Sequence, residues 1–256
     1  MARTHTHSPA TRRVAVEADI LARNNAHAAE NRKRFANAAC LTLNLVSSPG
    51  SGKTTLLVRT LAALKEELPL AVIEGDQETR FDAERIRAVG IPALQINTGK
   101  GCHLDAHMLG HALEKLSPPE GGILFVENVG NLVCPSAFDL GEAAKVVILS
   151  VTEGEDKPLK YPDIFHASRL MLINKTDLLP HVDFDPEKAT AYARRINPQL
   201  QAFLLSATSG EGFDLWLGWL REQMTQVKTV RIRQLETQLA LLKGGDRDKA
   251  GASNHA

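Results

Sequence analysis

LTLNLVSSPGSGKTTLLVRTLAALKEEL, residues 41–68, decides the fold. It opens on a short, nearly continuous apolar run, the pattern of a strand buried on both faces of a parallel sheet. It closes on apolar residues at helical spacing. Between them lies SSPGSGKTT (47–55). A strand, a glycine-containing loop and a helix in that order form the context of a phosphate-binding loop. Gly50 and Gly52 let the backbone approach phosphate oxygens, and the N–H groups of Ser51 and its neighbours with the helix N-terminus supply positive potential. Lys53 is placed to reach the β- and γ-phosphates. Thr54 offers a hydroxyl to Mg²⁺, with Thr55 beside it. The usual pattern has a glycine separated by four residues from the Gly-Lys pair, at position 47; here that residue is Ser47. An ordinary glycine-rich turn is the plainer alternative, and the flanking strand and helix weigh against it.

Outward from this stretch the same texture repeats. Apolar runs occur at 70–74, 93–97, 122–128, 146–151, 169–174 and 201–206. Helical patterns fall at 53–67, 82–88, 103–116, 186–196 and 211–227. The alternation implies an α/β fold of the P-loop NTPase kind, a doubly wound, mostly parallel sheet with flanking helices. Three regions are expected: a polar tail with one or two peripheral helices (1–39), the nucleotide-binding domain (40–227), and a C-terminal amphipathic helix with a disordered tail (228–256).

The chain has 256 residues, 43% hydrophobic, with 30 basic and 30 acidic side chains. Zero net charge and 5% aromatics do not suit a nucleic-acid coat or a base-stacking platform. The start is polar and basic without a following apolar stretch, so neither a signal peptide nor a membrane span is expected. Three cysteines do not make a disulfide framework, and a cytoplasmic location with free thiols is expected.

NKTD (174–177) follows the apolar run at 169–174. The Asp177 carboxylate can accept two hydrogen bonds from the N1–H and amine of guanine, a donor pair adenine lacks. Asn174 holds the loop and contacts the purine edge, and the Lys175 stem lies along the ring. Ser206 and Ala207, after the last apolar run, resemble a further base-contacting loop. The nucleotide is therefore GTP or GDP. Two acids fall at strand ends beside the phosphate loop: Asp76, and Glu127 at the start of ENVG. They are candidates to hold Mg²⁺ or orient an attacking water with Lys53, and Gly130 lets backbone approach the γ-phosphate. Helix capping or surface charge is the alternative for either acid.

Cys102-His103 is an adjacent pair expected at a helix start, and Cys134 lies in NLVCP. A helix N-terminus favours the thiolate, and two sulfurs with one imidazole suit Zn²⁺ or Ni²⁺. Spacing alone leaves two readings open: this metal set, or two buried cysteines and a capping histidine. His103, His107 and His111 fall four apart, as a metal-loading stripe or a solvated face. His5 and His7 lie near the start.

The combined segments SSPGSGKTT, EGD (74–76), NTGKGCHLDAHM (97–108), ENVGNLVCP (127–135), EGEDKPLKYP (153–162) and NKTDLLP (174–180) resemble the HypB family of hydrogenase maturation GTPases over about residues 40–220. The resemblance implies a GTP-hydrolysing homodimer related to the signal-recognition and urease-maturation GTPases. It implies nickel delivery to the [NiFe]-hydrogenase large-subunit precursor, with a HypA-like accessory protein as partner and neither nucleic acid nor membrane. It also implies that Cys102, His103 and Cys134 form a metal site near the dimer interface. Some members carry an N-terminal cysteine motif or a long histidine tract; this chain has neither. The competing readings are a urease-type nickel-insertion GTPase, a P-loop small-molecule kinase, and a scaffold with structural zinc.

Overall fold

The computed structural model describes residues 9–76, 81–99 and 101–252, with side chains described in 18–75, 84–99 and 101–243. Seven strands form one sheet: β1 (Leu41–Ser47), β2 (Leu70–Asp76), β3 (Ala93–Asn97), β4 (Ile123–Glu127), β5 (Ala144–Ser150), β6 (Ser168–Asn174) and β7 (Gln201–Leu204). Their order is β3-β2-β4-β1-β5-β6-β7, and every neighbouring pair is parallel. The helices are α1 (Pro9–Asn37), α2 (Lys53–Leu64), α3 (Phe81–Arg87), α4 (Ala106–Lys115), α5 (Lys157–Lys160), α6 (Pro162–Ala167), α7 (Pro186–Ile196) and α8 (Phe213–Ala252). The doubly wound α/β sheet is the one the alternating pattern predicts.

Strand side chains alternate between two apolar layers, as the pleat requires. Ile123 and Phe125 of β4 join a layer under α2 and α8, with Leu56, Leu61, Trp216 and Leu220. Leu124 and Val126 face the other way, into a layer with Phe35 of α1 and Leu109 and Leu113 of α4. At the far end β5 and β6 pack on α6 and α7 through Val147, Met171, Ile164 and Ala193. Burial on both faces explains why the strands read as continuous apolar runs rather than alternating ones.

The N-terminal pattern is a single helix, within the one or two expected, and it begins at Pro9. Two expectations change. Residues 211–227 and 229–242 are not separate helices: α8 runs unbroken, because no proline interrupts it, and its backbone stays helical through residues 243–252, expected to be disordered. Helix α4 starts at Ala106, not 103; Asp105 caps it, its carboxylate accepting from Met108 N–H at 2.7 Å. Cys102 and His103 therefore lie in the preceding loop. His5 and His7 and the side chain of Asp76 lie outside the described residues.

A parallel sheet puts the C-terminal ends of all strands on one edge, where ligands bind in such folds. Central β1 carries the phosphate loop there. The ends of β6 and β7 lie to one side, and those of β4, β2 and β3 to the other. The guanine-reading candidates and the metal-ligating candidates are thus on opposite flanks of the phosphate loop.

Candidate nucleotide and metal site

The phosphate loop, Ser47–Thr55, lines a cavity of about 560 Å³ together with Glu74, Gly75, Arg85, Glu127–Gly130 and Lys175. Gly50 and Gly52 adopt φ of 76° and 90°, a left-handed conformation that disfavours any Cβ. A Cβ on Gly52 would also lie 2.6 Å from Asn174 Nδ2. Ser47 is still in β1, opposite Ile148, with no positive φ. Glycine is not required there, which explains why the departure from the usual pattern is tolerated. Gly130 lies against the same loop: a Cβ would come within 3.2 Å of Pro49 Cα.

Around the loop the polar groups converge. Thr54 Oγ1 donates to Glu127 Oε1 at 2.7 Å, and Lys53 Nζ is 3.3 Å from the same oxygen. Glu127 is only 3% exposed, and its second oxygen, like the Ser51 hydroxyl, is buried with no hydrogen-bond partner among the described residues. A buried carboxylate oxygen without a partner is costly unless a ligand meets it. Hydroxyl and carboxylate oxygens are the donors Mg²⁺ takes. Glu74 lines the same cavity and sits level with Glu127 across the β2–β4 pairing. The sequence pattern points to Asp76 instead; Glu74 lies two residues back, on the same face of the strand, and that spacing is the signal for it. Arg85 donates to Thr55 Oγ1 at 3.2 Å, a contact no motif announces.

On one flank the 174–177 and 206–207 segments meet. Asn174 donates to Ser51 O at 2.9 Å and accepts from Ala207 N–H at 3.0 Å, tying the phosphate loop to the last strand's loop. Lys175, at φ 65°, donates to Gly50 O at 2.7 Å. The Ser206 hydroxyl donates to the Asp177 carboxylate. Lys157 donates to Ser48 Oγ at 3.3 Å within its own chain.

On the other flank Cys102, His103 and Cys134 bring their ligand atoms within 4.8 Å of one another, the one such cluster among the described residues. Cys102 Sγ is 2.7 Å from Cys134 Sγ and 3.5 Å from His103 Nδ1. Both thiols are free. Metal–sulfur bonds of about 2.3 Å would part the two sulfurs by roughly half an ångström to one ångström. Cys102 is not at a helix N-terminus, and its thiol is not lowered as expected. Sharing a hydrogen bond with Cys134, then burial, pushes it above the usual thiol range. Burial instead lowers His103, whose neutral imidazole is the ligating form. The loop is seated by Leu104, packed so closely on Gly75 that a Cβ there would lie 2.6 Å from Leu104 Cγ. The histidine stripe does not survive. His103 lies against Phe138, ring centroids 4.0 Å apart, whereas His107 Nε2 meets His111 Nε2 at 3.1 Å.

The third cysteine is different. Cys40 is buried at the start of the sheet, and burial pushes its thiol up to about 11. Cys102 and Cys134 are half-buried whereas Cys40 is buried, so Ellman's reagent at pH 8 reaches two thiols per native chain, Cys102 and Cys134. The third appears only in denaturant, and a thiophilic metal suppresses the first two.

This fold and this loop define a P-loop nucleotide-binding protein. The model of the "CobW/HypB/UreG, nucleotide-binding domain" family matches residues 41–203. The hydrogenase maturation factor HypB of Azotobacter vinelandii is 63% identical over 233 residues, covering 91% of this chain and 77% of that protein. The crystal structure of HypB from Archaeoglobus fulgidus is 42% identical, with a TM-score of 0.75, and covers 79% of this chain and 99% of that one. HypB from Helicobacter pylori, solved in complex with nickel, is 37% identical with a TM-score of 0.75, covering 80% and 96%. The chain belongs to the HypB family of hydrogenase maturation factors. No described helix is long and apolar enough to cross a membrane.

Proposed function

We propose that this chain is a cytoplasmic, GTP-hydrolysing nickel carrier for [NiFe]-hydrogenase maturation, in which the nucleotide sets the affinity of the Cys102, His103 and Cys134 site. One observation carries the coupling. A single loop, 127–134, touches both sites. Its Glu127 contacts Thr54 and Lys53. One residue on, Asn128 Oδ1 accepts from Leu104 N–H at 3.1 Å, and Asn131 Nδ2 donates to Cys102 O at 3.2 Å. The loop ends in the ligand Cys134. A change at the γ-phosphate that moves this loop moves one sulfur and the backbone of the other.

The residues divide the work. The backbone of 50–54 and Lys53 grip the phosphates. Asn174, Lys175, Asp177, Ser206 and Ala207 read guanine. Thr54 and Glu127 would hold Mg²⁺, with Asp76 a candidate from its strand-end position; the ion neutralises charge developing on the phosphates. Glu127 also orients water for attack. Two sulfurs and one imidazole fill three positions, so the fourth comes from water, a second copy or the next protein in the relay. Val133, 60% exposed beside Cys134, belongs to the face over which the proposed homodimer would form. A HypA-like accessory protein and the hydrogenase large-subunit precursor are the partners the family suggests. The core of the carrier is 40–227: beyond Val227 most of the described α8 side chains are exposed.

The test is a nickel titration of wild type and Cys134→Ala with GDP and with a non-hydrolysable GTP analogue. A coupling of about 1–3 kcal/mol changes wild-type affinity roughly 5–150-fold between nucleotides, and Cys134→Ala abolishes that difference. Equal affinity in every state refutes the coupling, and tight binding indifferent to nucleotide marks a structural metal.

A further inference from the structure

Helix α1 lies outside the matched nucleotide-binding segment, yet it grips both loops that carry metal ligands. Its buried stripe runs Asn24, Ala28, Asn31, Phe35, the spacing of one helix face. Two of these four are asparagines, 5% and 2% exposed. Asn24 Oδ1 accepts from Ala106 N–H at 2.9 Å, and its Nδ2 donates to Asp139 O at 2.7 Å. Asn31 Nδ2 donates to Ala106 O at 2.8 Å and to Leu140 O at 3.2 Å. Ala106 opens α4 just after Cys102-His103, and its N–H is one of the donors a helix start leaves unpaired. Asp139 and Leu140 follow Cys134 in the other loop. Each asparagine thus bridges the two ligand-bearing segments.

Two further contacts strengthen the grip. Arg32 Nη2 donates to both carboxylate oxygens of Asp139, at 2.9 and 2.7 Å. Gly141, at φ 90°, admits α1 so closely that a Cβ would lie 2.5 Å from Ala28 O. Burying an amide costs more than burying leucine unless every polar atom is met. Both asparagines stand where apolar residues would pack, and their amides are spent on loop backbone. This arrangement specifies where the loops sit rather than merely filling space.

We infer that Asn24 and Asn31 are positioning residues of the metal site, and that α1 acts as a clamp setting the separation of the Cys102 and Cys134 segments. The inference rests on the metal reading of Cys102, His103 and Cys134. Groups that orient ligands without touching the metal typically carry about 10–100-fold in metal affinity.

The experiment uses the full chain with GDP, the variants Asn24→Ala, Asn31→Leu and Arg32→Ala, and Ni²⁺ as the probe. The readouts are the thiolate-to-nickel charge-transfer absorption and the nickel Kd, with GDP affinity measured alongside. Asn24→Ala and Asn31→Leu weaken nickel about 10–100-fold and alter the charge-transfer band, while GDP affinity stays within twofold. Arg32→Ala, an exposed pair unable to unfold the chain, weakens nickel about two- to fivefold. Folded variants with the wild-type band and nickel Kd overturn the clamp. If Asn31→Leu does not fold, Asn24→Ala and Arg32→Ala decide by the same criterion. Absence of a thiolate band in wild type overturns the metal reading itself and the clamp with it.

Discussion

Asp177→Asn weakens GTP binding by about 3–4 kcal/mol, roughly 10²–10³-fold, and raises affinity for xanthosine triphosphate. The carboxylate is the acceptor proposed for two guanine donors, and each charge-assisted bond is worth about 1.5–3 kcal/mol. Asparagine offers one acceptor and one donor group. Xanthine carries an oxygen where guanine carries its amine, so the new amide donor meets an acceptor. The surrounding loop survives the change, because its closure depends on Asn174, which spans Ser51 O and Ala207 N–H, and on Lys175 at Gly50 O. Competition of GTP and XTP against a fluorescent nucleotide reads the effect. An unchanged preference removes 174–177 from base recognition.

Glu127→Gln slows GTP hydrolysis by about 10²–10³-fold while leaving Mg²⁺-free GDP binding within a few-fold. The substitution keeps the shape and one oxygen for the Thr54 hydroxyl. It removes the charge that faces Lys53 at 3.3 Å, and puts an amide where a carboxylate oxygen is buried without a partner among the described residues. The proposed cation binding and water orientation both need that charge. Single-turnover phosphate release as a function of Mg²⁺ gives the measurement: the variant shows a lower rate and a weaker Mg²⁺ dependence. A wild-type rate refutes a role for Glu127 in hydrolysis.

Several features were visible before any coordinates because they are local. Gly50 and Gly52 mark backbone that only glycine adopts readily. The apolar runs at β4, β5 and β6 mark strands covered on both faces. Other features were hidden by substitutions in an expected pattern. The buried stripe of α1 contains asparagines, so its apolar period is broken and it reads as peripheral. Glu74 does not stand out in the sequence because Asp76, two residues on, is equally suited at a strand end. The helix carrying His107 and His111 reads as starting at His103, because the Asp105 cap lies inside an otherwise helical pattern.

The sequence by itself determined the sheet, the candidate phosphate loop and the candidate guanine loop, since strand burial, positive φ and the order of loops along a parallel sheet act over short spans. Only the tertiary structure brought Cys102 to within 2.7 Å of Cys134, 32 residues away, and set Asn24 and Asn31 across both segments. The reason is physical. Which strand ends become neighbours depends on the crossover order β3-β2-β4-β1 and on its register, and these follow from packing the whole sheet rather than from any motif.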